Sequence, residues 1–241
     1  MDRLRLVVIA VTVVAGCSAC SDDTSGQIDA AADADVDAID AAMGPCGVDY
    51  QMTGEYVDWD STSLGFDGVE SAVWTVIGDT ARTATTAPNG RIIICLARTS
   101  TVTLSVVQTV AAPNGPYVEA RFVADPAVLS PAGGIFSARG LKAADASARY
   151  NTIMGGMSFD TGAAHVLVVK RGTPTALTLG ASPSFVSDGA EDTTWTSGAT
   201  GAFTLFPNVA VGAGTATLGG TFTGPTTIPL EAGKLTIVPI S

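Results

Sequence analysis

Histidine is nearly missing from this chain: His165 is the only one in 241 residues. A lone imidazole excludes zinc sites built on several histidines, and no Gly-x-Ser-x-Gly is present to supply a nucleophilic serine. His165 heads the run Val166-Leu167-Val168 and reads as an ordinary strand residue. Charge is scarce too, at 15% of residues, and the 12 lysines and arginines form no basic stripe. Without one, phosphates go unneutralised, which excludes nucleic acid as a partner. Gly212-Ala213-Gly214 has no helix after it, so it is no phosphate loop.

Small and β-branched residues are what the chain has in quantity. It is 46% hydrophobic, with 27 glycines and little helical periodicity. That balance indicates an all-β protein with room for substantial cores.

The acidic charge is gathered near the start. Of a net −11, seven aspartates (Asp22, Asp23, Asp29, Asp33, Asp35, Asp37 and Asp40) fall between Ser18 and Gly44, leaving about −4 for the rest. Before them, Arg3 and Arg5 precede an apolar run, Leu6 to Ala15, shorter than the ~20 residues a membrane-spanning helix needs. The run ends in Val14-Ala15-Gly16-Cys17, which resembles the bacterial lipobox. The resemblance implies a signal peptide over 1–16, cleaved to leave Cys17 as a lipidated N-terminus. Ser18 stands where an aspartate would favour inner-membrane retention, so the implied address is the cell envelope at the outer membrane. Residues 17–44 hold the lipidated cysteine and an Asp/Ala-rich stretch with no aromatics. Such a composition cannot offset chain entropy and predicts a disordered, self-repelling tether. The alternation of Asp33, Asp35 and Asp37 lacks the glycines of a calcium loop.

With Cys17 assigned to lipid, Cys20, Cys46 and Cys95 remain. An oxidising compartment favours a Cys46–Cys95 disulfide, with Cys20 left over in the tether. No Cys-x-x-Cys accompanies Cys46 or Cys95, so no zinc site is read there.

From Gly54 onward the chain reads as short strands and turns. Strands are expected at Glu55 to Trp59, Val69 to Ile77, Arg82 to Thr86, Ile92 to Leu96, Val102 to Val107 and Tyr117 to Val123. The organising stretch is Thr86-Ala87-Pro88-Asn89-Gly90-Arg91. Pro88 fixes one torsion and Asn89-Gly90 accept positive φ, so it reads as a hairpin turn feeding a buried strand. Gly54-x-x-Val57-Asp58, Gly68-Val69 before Val73-x-Thr75-Val76, and Thr85-Thr86-x-x-Asn89-Gly90-Arg91 resemble the carboxypeptidase regulatory-like domain. The match covers Gly54 to Val107, with Ala87-Pro88 altering the usual spacing and Val69 replacing a small residue. It implies a transthyretin-like, seven-stranded Greek-key sandwich. The peptidase that accompanies such domains needs zinc-binding histidines this chain lacks, so only the accessory domain is implied.

The second half repeats the signals. Leu141 to Tyr150 has helix-forming composition and Gly155-Gly156 would stop it. Strands then follow at Gly162 to Val169, Ala176 to Leu179, Phe203 to Val209 and Thr215 to Leu218, with a turn at Trp195 to Gly201 and a closing hairpin from Ile228 to Val238. Opening glycine to turn glycine runs Gly54 to Gly90 in one half and Gly162 to Gly201 in the other, a spacing that suggests duplication. The expected architecture is all-β: two tandem transthyretin-like sandwiches, 45–125 and 161–241, joined by a linker with a short helix, 126–160. One extended sandwich is the alternative.

Few residues suggest chemistry. Asp58, Asp60 and Asp67, or Asp188, Glu191 and Asp192, could ligate calcium, but aspartate is also the default turn residue. Trp74 alternates with Ala72 and Val76 and reads as core. Trp59 and Trp195 are the candidate ligand-facing aromatics, since flat rings stack on sugars, although core or interdomain packing is the leading reading for each. No catalytic residue, metal or cofactor is assigned. The expected function is a non-catalytic, lipid-anchored structural or protein-interaction module. Its expected partners are the membrane, through the lipid, and an envelope protein or glycan; the alternative is a carbohydrate-binding module using loop aromatics.

Overall fold

The computed structural model describes residues 46–59, 67–111, 115–129, 136–173, 175–187 and 195–241. The expected signal peptide and tether, with Cys17 and Cys20, lie outside them, as do Asp60, Asp188, Glu191 and Asp192.

The described chain is mostly strand: β1 Tyr50–Asp58, β2 Val73–Val76, β3 Asp79–Thr85, β4 Arg91–Leu96, β5 Val102–Val107, β6 Ala120–Ala124 and β7 Phe136–Gly140, then β8 Ala164–Lys170, β9 Thr178–Leu179, β10 Phe185–Ser187, β11 Thr196–Ser197, β12 Phe203–Val209, β13 Thr215–Gly219, β14 Thr227–Pro229 and β15 Leu235–Ile240. Two helices interrupt them, α1 Pro126–Leu129 and α2 Ala146–Met154. Gly155 ends α2 in the left-handed conformation at φ 60°, as its position after a helix-forming run predicts.

The strands do not sort into two separate sandwiches. A nine-stranded sheet runs β11-β10-β12-β8-β15-β6-β5-β2-β3, flanked by the three-stranded sheets β4-β1-β7 and β14-β13-β9. Hydrogen bonding crosses the expected domain boundary without a break, and Asp40–Ser241 forms one compact unit. The link is β15, which runs parallel to both β6 and β8 and joins the halves. The expected closing hairpin therefore does not form: β14 and β15 belong to different sheets. Every residue of β15 is buried. An almost unbroken apolar strand of this kind belongs at the centre of a sheet covered on both faces. Pro239, which has no amide hydrogen to give, falls beyond the last pairing with β6 at Ile237↔Phe122.

Alternation along the central strands divides their side chains between two cores. Phe122, Leu167, Leu205 and Ile237 enter one cluster, with Tyr56, Ile92 and Phe136 of β4-β1-β7 and with Tyr150 of α2. Val123, Val166, Val168, Phe206 and Val238 enter the other, with Leu179, Leu218 and Ile228 of β9, β13 and β14. The expected linker is itself built in, because β7 pairs parallel with β1 and α2 packs on the first core.

The organising turn is real but joins different partners. Ala87 and Arg91 close it, with Ala87 N donating to Arg91 O at 2.9 Å and Gly90 N to Ala87 O at 2.8 Å. β3 pairs with β2, whereas β4 pairs with β1, so the turn carries the chain from one sheet to the other. Gly90 sits at φ 75°, and a Cβ there would meet the Tyr56 carbonyl and lie 2.8 Å from Gly68 Cα. Only glycine fits both demands. Thr86 pins the crossing from below: its hydroxyl donates to Val69 O at 2.6 Å and accepts from Ala72 N at 2.9 Å.

Candidate functional site

The disulfide expected from the cysteine count is present. Cys46 and Cys95 are bonded, with Cα atoms 5.4 Å apart and a sequence separation of 49. It ties the segment before β1 to the edge strand β4. Around it, Arg98 Nε donates to Val48 O at 3.0 Å and Nη2 to Asp49 O at 3.3 Å. Asp49 in turn pairs with Arg82 at 2.7 Å.

Trp59 and Trp195 are brought together, but not toward a ligand. Their rings stack on each other, centroids 6.1 Å apart and planes at 25°. Trp59 is 1% exposed and Trp195 9%, so neither offers an open platform. Core packing, the leading reading for both rings, is what the structure shows, and the sugar-facing alternative gives way. Their burial follows from the shared core: Trp59 follows β1 and Trp195 precedes β11, strands of different sheets, and both enter the core that spans the two halves. Trp74 is fully buried among Tyr56, Phe122 and Phe136, as its alternation predicts.

Asp58 is occupied in place. Its Oδ2 accepts from the Tyr117 hydroxyl at 2.6 Å and pairs with Lys142 Nζ at 2.9 Å. Burial, reinforced by Asp58, holds the Tyr117 phenol well above its usual pKa, and the hydrogen bond to Asp58 raises Lys142. Among the described residues no group of three or more His, Cys, Asp or Glu could hold a metal ion. In the same residues no helix is long and apolar enough to cross a membrane.

His165 is fully buried, stacked on Phe159 at 3.8 Å between centroids and edged by Tyr150 at 5.2 Å. Both ring nitrogens are used. Asn208 N donates to Nδ1 at 3.3 Å, which assigns the proton to Nε2, 3.0 Å from the Asp160 carbonyl it donates to. Asn208 reaches this position at φ 51°, where Pro207 and a register shift between Phe206 and Val209 interrupt β12. Its side chain also bonds Ser158 O and Asp160 N, so the imidazole and this asparagine clip the 158–160 segment to β12. Sequence reading placed His165 in a strand but had no signal joining it to Asn208, which lies 43 residues away.

Burial lowers the His165 pKa from 6.5 to about 4. Above pH 6.5 both folded and unfolded chains are neutral at this site, so the full stability is present. Between pH 6.5 and 4 the unfolded chain takes up a proton the folded one refuses, and stability is lost. The melting temperature should fall through that window, and His165→Gln should flatten that fall. An NMR titration giving His165 a midpoint near 6.5 would refute the assignment.

A second ion cluster fastens the end of the chain. Arg121 forks onto Glu231 at 2.6 and 2.8 Å, and Lys234 pairs with Glu231 and Glu119. The hydrogen bond from Arg121 lowers the Glu231 pKa to about 2. The cluster holds the turn before β15 against β6.

At one end of the sandwich a cleft of about 340 Å³ is lined by Tyr50, Arg98, Thr99, Asp125, Pro126 and Ala127. Aspartate, arginine, hydroxyl and aromatic side chains converge there.

No protein-family model matches the chain, and no curated protein does. Solved structures give distant likenesses only. The Bacillus anthracis TIE protein is 15% identical over 80% of this chain and 34% of its own, with a TM-score of 0.27. This chain thus spans about a third of that protein's length. The shaft pilin SpaA of Lactobacillus rhamnosus GG is 9% identical over 80% of this chain and 97% of its own, TM-score 0.24. The minor pilin GBS52 of Streptococcus agalactiae is 12% identical over 79% and 94%, TM-score 0.22. Scores this low carry no claim about shared arrangement or function.

The cleft is the feature that sequence reading missed. Tyr50, Arg98 and Asp125 are far apart in the chain and share no motif. They meet because β1 and β4 are neighbours and β6 ends opposite them.

Proposed function

We propose that this chain is a non-catalytic module of the cell envelope, anchored by lipid on Cys17 and serving as a structural or binding domain at the outer membrane. The observation that carries the non-catalytic part is the placement of His165. The chain's single imidazole lies under Phe159 and Tyr150 with both nitrogens bonded to backbone, unable to exchange protons with a substrate. Asp58 and Glu231 are likewise held in ion pairs that join neighbouring elements. The disulfide suits an oxidising compartment beyond the inner membrane.

The anchor rests on the order of Arg3, Arg5, the apolar run and Val14-Ala15-Gly16-Cys17. A multiply acylated cysteine would hold the chain firmly, where a single acyl chain binds only marginally. The acidic stretch from Asp22 to Asp40 would then stand the folded unit off an anionic surface. Cys17→Ser is expected to move the protein from the membrane fraction to the soluble one and to abolish incorporation of labelled palmitate. Unchanged fractionation with no label in the wild type would overturn the lipid reading.

A further inference from the structure

We propose that the cleft formed by Tyr50, Arg98, Thr99 and Asp125 is a binding site for a short acidic saccharide, one or two rings carrying a carboxylate. Its volume, about 340 Å³, lies at the small end of the ~300–1,000 Å³ typical of ligand clefts. That size admits a sugar or two and excludes a folded partner.

The lining supplies the three contacts such a ligand needs. Tyr50 is half-buried, its ring packed on the first core and lining the cleft, and its side chain makes no hydrogen bond, so the hydroxyl and the ring surface at the cleft are there for a ligand. The C–H face of a sugar ring is apolar and slightly positive, and it meets the negative face of an aromatic ring favourably. Arg98 spends Nε and Nη2 on the carbonyls of Val48 and Asp49, which fixes the guanidinium and leaves Nη1 for a carboxylate. Thr99 and Asp125 offer a hydroxyl and a carboxylate to ring hydroxyls. Asp125 is already oriented, accepting from Thr101 Oγ1 at 3.2 Å and from Ala127 N at 2.9 Å.

Arg98 selects the acid over a neutral sugar, because its unused Nη1 gains a charged partner in a carboxylate. The nearby Asp49 is neutralised by Arg82. The wall that carries Tyr50 and receives Arg98 is the segment stapled by Cys46–Cys95, so the site is held open before a ligand arrives.

The site rests on the non-catalytic reading above but not on the lipid anchor. The test is a calorimetric titration of the full-length chain in detergent micelles with digalacturonic acid, cellobiose and succinate. Digalacturonic acid should bind, cellobiose at least tenfold more weakly, and succinate not measurably. Tyr50→Val and Arg98→Lys should each weaken binding about tenfold while the melting temperature stays within a few degrees. Amide shifts of the wild type on titration should centre on Tyr50, Thr99 and Ala127, a readout independent of whether a variant folds. No binding by digalacturonic acid, equal binding by succinate, or shifts centred elsewhere would overturn the site. Cleavage of the disaccharide during titration would instead overturn the non-catalytic reading, and neither result bears on fractionation of Cys17→Ser.

Discussion

A chain ended after Lys234 is expected to show no cooperative unfolding transition. The loss removes β15, whose Leu235 and Ile237 fill one core and whose Val238 and Ile240 fill the other. Burying four such side chains contributes about 1.5–3 kcal/mol each, roughly 6–12 kcal/mol together. A whole domain is stable by only ~5–15 kcal/mol. The truncation also strips the hydrogen-bond ladders from one edge of β6 and one edge of β8. The Arg121–Glu231 clip survives the cut, but it then fastens a turn that leads nowhere. Circular dichroism and urea titration would check this, with Ile237→Ala as the milder variant, expected to cost about 2–5 kcal/mol. A truncated chain that still unfolded cooperatively, with its tryptophans buried, would show that the first half stands as an independent domain.

That dependence on the last strand explains which parts of the fold were legible in the sequence. Local signals worked: Val102–Val107 and Phe203–Val209 are strands over the very residues expected, and Gly155 stops α2. The all-β class followed from composition and alternation. Pairing partners did not follow, because nothing in a strand's own residues names its neighbour. Thr86 to Arg91 has the residues of a tight turn, and it is one. The same residues cannot say whether the strands on either side bond to each other or to different sheets. For β15 the signal was available. Leu235-Thr236-Ile237-Val238-Pro239-Ile240 does not alternate, and a non-alternating run is more at home in the middle of a covered sheet than in a terminal hairpin. Expecting repeated domains gave each half its own sheet and hid that reading.

The functional residues divide the same way. Cys46 and Cys95 could be paired because, of the three cysteines left after Cys17, Cys20 falls in the acidic stretch and only these two fall within the expected first sandwich. Trp59 could not be assigned, because exposure at a strand end depends on what the other half brings, and here it brings Trp195. The clip between His165 and Asn208 requires a positive φ at an asparagine after a proline, a local oddity with no motif attached.

Replacing both Cys46 and Cys95 with alanine should lower stability by about 3–4 kcal/mol, the chain-entropy value for a closed loop of this length. For a folded unit of this size that corresponds to a fall of roughly 6–15 °C in melting temperature. Reducing the native protein should reproduce the shift, and reductant should leave the double variant unmoved. The staple also acts locally. β4 is an edge strand, and the residues before β1 are otherwise held by Arg98, just after β4, and by the partly exposed Asp49–Arg82 pair to β3. Exposed ion pairs contribute little, ~0–1 kcal/mol, so without the disulfide the 46–50 segment should exchange its amides faster than the rest of the sheet. Because that segment carries Tyr50, saccharide binding should weaken in the reduced protein at temperatures where the fold as a whole survives. A melting curve indifferent to reductant would mean that the unfolded chain is already compact enough for the bridge to exclude nothing. The rigidity of the cleft would then have to come from Arg98 alone.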